Sequence, residues 1–197
     1  MKQDIENLYP TPILVAQLEG FEYDKVQREI GSAMDSVSWK QHPSFINTQL
    51  LTTDTFGDNI IKEKKLEVLG LLIDQFLKDY CKSLGFTSIG VYDMESWLTK
   101  NRPGDYSIVH NHGLSDISGV YYYDVTEDDG DFFFQSPSPA AVTSFTGQAI
   151  HGNIFYKPVN GKLFMFPSYI NHGVMRNNSN KDRISLAFNI KFHRGNR

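Results

Sequence analysis

The sequence predicts an α+β chain with a jelly-roll core, and three observations carry that reading. From residue 88 onward, apolar residues recur with period two in short aromatic and β-branched runs. Before residue 88, two apolar series step by three and four residues, the spacing of amphipathic helices. Aromatic residues make up 13 % of the chain, a content that suits sheets more than helix bundles. No repeat, low-complexity tract or linker divides the 197 residues, so they read as one domain. A strand and helices occupy residues 1–87, packed on one face of a core spanning residues 88–197.

In chain order, residues 12–19 (Pro-Ile-Leu-Val-Ala-Gln-Leu-Glu) read as a first strand. Asp24 is a plausible cap for a helix whose apolar face is Val26, Ile30, Ala33 and Val37. A stronger helix carries Ile61, Leu66, Leu69, Leu72, Ile73, Phe76, Leu77 and Tyr80, with Asp58 able to cap its start. Gly85 ends it, after the cations Lys78 and Lys82 that suit the negative end of the helix dipole. Strand-like runs follow at 89–99, 106–111, 117–125, 131–135, 148–156, 162–166, 172–176 and 183–192. Arg102-Pro103-Gly104, Asp128-Asp129-Gly130, Asn160-Gly161 and Asn177-Asn178-Ser179-Asn180 mark turns between them. About eight short strands with close turns are the pattern of a sandwich, jelly roll or small barrel.

Composition narrows the function classes. Hydrophobic residues are 40 % of the chain, enough for a core and too many for disorder. Nineteen Lys and Arg against 23 Asp and Glu give a formal charge of −4, with no basic block to meet a nucleic acid. No run is long and apolar enough to span a membrane. The single cysteine, Cys81, excludes an internal disulfide and reads as a buried thiol beside Leu77 and Leu84. Acidic residues stand where a signal peptide needs a cationic then apolar stretch, so a cytoplasmic protein is expected.

Chemistry concentrates late in the chain. In His110-Asn111-His112 the two imidazoles stand two residues apart, so in a strand they share a face and can converge on one point. The hydrophobic strand at 162–166 leads through a Pro-Ser turn to His172. Eleven residues later Arg183 opens the cleanest alternation in the sequence. Ile184, Leu186, Phe188, Ile190 and Phe192 take one face, and Arg183, Ser185, Ala187, Asn189 and Lys191 the other. An Arg and a Ser on one face offer a planar fork and a hydroxyl, suited to a carboxylate. His42 reads as a loop residue, His193 as part of a basic tail and His151 as part of a Gly-rich turn or strand start. Trp97, Tyr106 and Phe132–Phe134 read as wall packing. Trp97, Tyr106 and Asn189 are also candidates to line a pocket.

The ordered set of an HxH pair, an aromatic strand, a distant His and Arg-x-Ser resembles the iron(II)- and 2-oxoglutarate-dependent oxygenases. The resemblance implies a double-stranded β-helix core, with His110, His172, Arg183 and Ser185 at the positions of metal ligands and co-substrate anchors. Ser118-Gly-Val-Tyr-Tyr-Tyr-Asp is similar to a prolyl-hydroxylase strand, which puts Tyr122 at the co-substrate carboxylate. The opening Leu-Tyr-Pro-Thr-Pro-Ile and the ending Arg-Ile-Ser-Leu-Ala-Phe-Asn further resemble a small 2-oxoglutarate oxygenase family of bacteria and phages. The resemblance therefore implies Fe(II), 2-oxoglutarate and O2, and hydroxylation of an unactivated C–H in a protein side chain or small metabolite. It places the protein in the cytoplasm of a bacterium or a phage-infected host.

One position departs from the pattern, because His112 stands where that superfamily has a carboxylate. The expected metal face is His110, His112 and His172, with Asp116 in reserve if Gly113 makes a turn. Three histidines also suit a cupin-like metalloenzyme that does not use 2-oxoglutarate. A non-catalytic β-sandwich binding module is the third reading.

Overall fold

The computed structural model describes residues 3–4, 10–42, 50–53, 57–138, 143–150 and 152–193, with side chains omitted at 148–150. The N-terminal part holds β1 (Leu14–Gln17), α1 (Gly20–Met34), β2 (Lys40–Gln41), β3 (Leu51–Thr52), α2 (Ile60–Glu63) and α3 (Glu67–Ser83). Then come β4 (Tyr92–Asn101), β5 (Ser107–His110), β6 (Ile117–Asp124), β7 (Phe132–Phe134) and α4 (Phe145–Ile150). The chain finishes with β8 (Ile154–Tyr156), β9 (Lys162–Pro167), β10 (His172–Val174) and β11 (Arg183–Phe192).

These strands form two antiparallel sheets. The larger has the order β1-β9-β6-β11-β4-β3-β2, and the smaller β5-β10-β7-β8. The alternation along β11 sorts the two faces of the larger sheet. Ile184, Leu186, Phe188 and Ile190 bury against Val26 and Ile30 of α1 and Leu69, Ile73 and Leu77 of α3. The helices therefore pack on one face of this sheet. Tyr122 and Phe164 on the opposite face cluster with Phe132 and Phe134 of the smaller sheet. Gly119 of β6 has no room for a side chain, since a Cβ there would meet the Phe188 ring at 2.1 Å. Its absence lets the ring lie flat on the neighbouring strand.

Several local expectations are corrected. Asp24 does not cap α1, which starts at Gly20, where a φ of +54° turns the chain out of β1. The second helix is two helices, because the backbone breaks at Lys65 with φ 53°. Its first piece is capped by Asn59, whose side chain accepts from Lys62 N–H at 3.1 Å, and not by Asp58. Leu66, at the start of α3, cannot cap. Glu29 of α1 supplies the missing acceptor, taking Val68 N–H at 2.8 Å and Leu69 N–H at 3.2 Å. A carboxylate there also meets the positive end of the helix dipole. The strand expected at 148–156 is shorter, because α4 takes Phe145–Ile150 with Ser144 accepting from Gly147 N–H. No described helix is long and apolar enough to cross a membrane.

Glu29 thus joins two helices that are far apart in sequence. Glu29→Ala should destabilise the fold by about 1–2 kcal/mol, the usual cost of a lost cap. A drop of roughly 2–8 °C in thermal midpoint is the measurement that checks it.

Candidate metal centre

The site begins with a strand register. His172 at the start of β10 pairs directly with His110 at the end of β5, so two imidazoles from adjacent strands stand opposite each other. His112 follows just past the end of β5. Its loop is anchored by His112 N–H donating to Ser168 C=O at 2.9 Å. One ligand atom from each ring lies within 4.8 Å of the others, making a cluster that could hold a metal ion. Ring centroids are 4.4 Å apart for His110 and His172, 5.1 Å for His110 and His112, and 5.2 Å for His112 and His172.

Two of the rings are oriented by the same device. His110 Nδ1 lies 2.8 Å from Ile108 C=O, and His172 Nδ1 lies 2.9 Å from Ile170 C=O. A carbonyl can only accept, so each Nδ1 carries the proton and Nε2 keeps a lone pair. Burial keeps the rings neutral. It pushes the His172 pKa down to about 3, with His110 and His112 adding to the effect. It pushes His112 down to about 4, aided by His110 and by His42. His110 is lowered by burial as well. Neutral imidazole is the ligating form, so no ring charge opposes a cation at neutral pH.

Aromatic rings wall the cluster. Phe166 and Phe132 lie 4.8 and 5.8 Å from His172, and Trp97 lies 6.1 Å from His112. Deeper in the same interior is Arg183, only 1 % exposed. Its guanidinium carbon sits 5.0 Å above the Tyr122 ring. Arg183 Nε and Nη1 and the Tyr122 hydroxyl are buried with no hydrogen-bond partner. Burial also raises the Tyr122 pKa to about 12, against the pull of the Arg183 charge, so it remains a neutral donor. A buried cation with unused donors is costly until an anion meets it. The donors fit a carboxylate, and the three imidazoles fit a first-row divalent ion.

The other expected residues are placed as follows. Ser185 shares the inward face with Arg183, and its Oγ is 2.8 Å from Thr99 Oγ1. Asn189 reaches His112, with Nδ2 3.4 Å from Nδ1. Trp97 stands beside the cluster, whereas Tyr106 packs under Arg176 at 5.7 Å. Asp116 stands apart from the three histidines. Its Oδ2 accepts Phe192 N–H at 2.8 Å and it lies outside the histidine cluster, because the backbone at 116 bridges β11 and the β9–β10 turn. His193 pairs with Asp93 on the surface, and Cys81 is buried and unpaired. His151 lies outside the described residues.

Sequence reasoning missed two features. His42, which the sequence offers only as a loop residue, is close enough to lower the His112 pKa. No local pattern signals that approach. A chain of carboxamides along the strand ends also went unread. Asn111 Nδ2 donates to Asn171 Oδ1 at 2.8 Å, and Asn171 Nδ2 donates to Gln135 Oε1 at 3.0 Å. Asn111 and Asn171 flank His110, His112 and His172, and the chain ties the ends of β5, β10 and β7 together.

Residues 95–189, which carry every member of this site, match a family model described as "Putative 2OG-Fe(II) oxygenase". A search of curated proteins finds no match. Among solved structures, a Pseudomonas putida prolyl-4-hydroxylase is similar at 17 % identity and TM-score 0.64, covering 93 % of this chain and 94 % of that one. A Trichoplax adhaerens prolyl hydroxylase, bound to a peptide of hypoxia inducible factor, is similar at 13 % identity and TM-score 0.64, covering 91 % and 83 %. HygX from Streptomyces hygroscopicus, with nickel and 2-oxoglutarate bound, is similar at 12 % identity and TM-score 0.60, covering 92 % and 83 %. At such identities the likeness is one of fold.

Asp116 and the histidines can be separated by experiment. His110→Ala and His172→Ala should each abolish Co(II) or Fe(II) binding in an anaerobic titration. Asp116→Ala should leave metal affinity unchanged and lower only the thermal midpoint.

Proposed function

We propose that the chain acts as an Fe(II)- and 2-oxoglutarate-dependent oxygenase, a reading that the family match over residues 95–189 supports, and that its residues divide the work as follows. His110, His112 and His172 hold the iron. Arg183 receives the far carboxylate of 2-oxoglutarate, with the Tyr122 hydroxyl and Ser185 beside it. When bound, ferrous iron and 2-oxoglutarate supply, with O2, the oxidant for C–H hydroxylation, the co-substrate leaving as succinate and CO2. The protein's share is ligation, orientation and exclusion of water.

One observation carries this assignment: the buried Arg183 guanidinium, with Nε and Nη1 unspent, faces an equally unpartnered Tyr122 hydroxyl. In a cupin-like enzyme without 2-oxoglutarate Arg183 would clamp the substrate's own acid group, a reading that the family match does not favour. Arg183 cannot lose its proton, so an acid group must neutralise it. Ser185 can turn its hydroxyl from Thr99 toward that acid, since either oxygen of the pair can donate. Trp97 stands 6.1 Å from the His112 ring, and Asn189 reaches His112 from β11.

The strand orders support reading residues 88–197 as a double-stranded β-helix, in which the cavity lies between the sheets and the helices of residues 1–87 cover the outer face. The whole chain acts as one oxygenase domain. Its prime substrate is a protein side chain or a small metabolite, in the cytoplasm of a bacterium or a phage-infected host. A net charge of −4 argues against a nucleic-acid partner.

The decisive measurement is an anaerobic titration of 2-oxoglutarate into the Fe(II) protein, following the metal-to-ligand charge-transfer band. Arg183→Gln keeps much of the side-chain length but removes the charge and the fork. It should weaken 2-oxoglutarate binding by about 3–5 kcal/mol, a few hundred-fold or more, and leave iron affinity nearly unchanged. A parent protein with no band at millimolar 2-oxoglutarate would overturn the proposed function.

A further inference from the structure

The three histidines are not held alike. His110 and His172 each face a backbone carbonyl through Nδ1, which fixes the proton there and frees Nε2. His112 faces the Asn189 side chain instead. A carboxamide, unlike a carbonyl, can offer either a donor or an acceptor.

Behind Asn189 is a buried chain of groups with the same freedom. Ser118 Oγ donates to Asn189 Oδ1 at 2.8 Å, and Ser168 Oγ is 2.8 Å from Ser118 Oγ. Ser168 is 0 % exposed, Ser118 2 % and Asn189 7 %, so water does not readily substitute for any of these bonds. As arranged, Asn189 Nδ2 faces His112 Nδ1. That nitrogen then accepts, the ring proton sits on Nε2, and no lone pair is left for a cation. A ring that ligates through Nε2 must carry its proton on Nδ1 and needs an acceptor behind it. Turning the carboxamide by 180° meets that need. Oδ1 then accepts His112 Nδ1–H, Nδ2 donates to Ser118 Oγ, and Ser118 donates to Ser168.

We propose that Asn189 is the positioning residue that sets the tautomer of His112, its carboxamide oxygen facing His112 when the three histidines hold a metal. Ser118 and Ser168 reverse their hydrogen bonds with it. The inference rests on the reading of those histidines as ligands. It assigns to an amide the orienting task that carbonyls perform for the other two rings.

Zn(II), a diamagnetic stand-in, is the probe. In the Zn(II)-loaded parent, long-range 1H–15N correlation NMR should show the proton on Nδ1 in all three rings. Asn189→Leu preserves bulk but offers no acceptor, and should weaken Zn(II) binding roughly ten- to hundredfold. Asn189→Asp supplies a permanent acceptor and should restore affinity to the parent level or above. The proposal is overturned if Asn189→Leu binds Zn(II) like the parent, if Asn189→Asp is as weak as Asn189→Leu, or if His112 keeps its proton on Nε2 with Zn(II) bound. Should Asn189→Leu not fold by circular dichroism, the parent spectrum and Asn189→Asp decide. A parent that binds neither Zn(II) nor Fe(II) instead overturns the ligand reading itself.

Discussion

The unbroken pairing of β11 with β4, from Arg183 opposite Asn101 to Phe192 opposite Tyr92, is the constraint on which the rest of the structure depends. Side chains on a strand alternate faces, so this one register decides which half of β11 meets the helices and which half meets the site. Ile184, Leu186, Phe188 and Ile190 go to the helical core. Arg183, Ser185, Ala187 and Asn189 go to the interior between the sheets. A slip of one residue would drive the Arg183 charge among Leu69 and Leu77 and strand four apolar side chains around the histidines. The neighbouring strands follow the same logic. Ala187 is small where Trp97 pairs with it, and Gly119 is bare where the Phe188 ring crosses.

That division separates stability from chemistry. The helix-facing side of the larger sheet is almost wholly apolar and supplies the burial that folds the chain. The interior between the sheets carries what a core should avoid: a buried guanidinium, three imidazoles whose charged form burial disfavours, and a run of hydroxyl and amide groups. Each is tolerated by a particular arrangement. The imidazoles stay neutral because burial disfavours the charged ring, and two of them donate Nδ1–H to a nearby carbonyl. The amide and hydroxyls satisfy one another. Arg183 and the Tyr122 hydroxyl keep donors unspent, and Arg183 is the charged group whose cost a bound anion would remove.

Much of this was legible in the sequence because period two is a strong signal wherever one face is buried. Of the eight core runs, seven became strands near their expected limits, and 148–156 lost its first half to α4. The missed elements share a cause. β2 and β3 are two residues each, too short for any periodicity, and exist only because β4 offers an open edge. The cap of α3 comes from Glu29, nearly forty residues upstream, where no local pattern reaches. In the site, His110 and His112 were readable as a pair from spacing alone, and Arg183 from the alternation of β11. Asp116 was weighed as a ligand because it is near His112 in sequence, but its backbone is committed to two neighbouring segments and its carboxylate to Phe192. The roles of Ser118 and Ser168 were unreadable, since they depend on two strands meeting across fifty positions.

The absence of a carboxylate from the histidine cluster has an electrostatic consequence that ties these features together. Among the described residues, the cluster offers three neutral ligands and no acid. A carboxylate at position 112 would cancel one unit of a ferrous ion's charge, and an imidazole cancels none. Arg183 adds a further positive charge in the same aromatic-lined interior, where screening is weak. With a divalent ion bound, the site would be more cationic than one with an acid ligand, and the proposed 2-oxo diacid would match it in charge. Neutral ligation also makes the hydrogen bond behind each ring count for more. An imidazole's basicity is raised by the acceptor that holds its far proton, and His112 is the ring that stands in for the missing acid. Asn189, whose carboxamide reaches that ring, is accordingly where, on the proposed ligand set, the lack of an acid would be compensated.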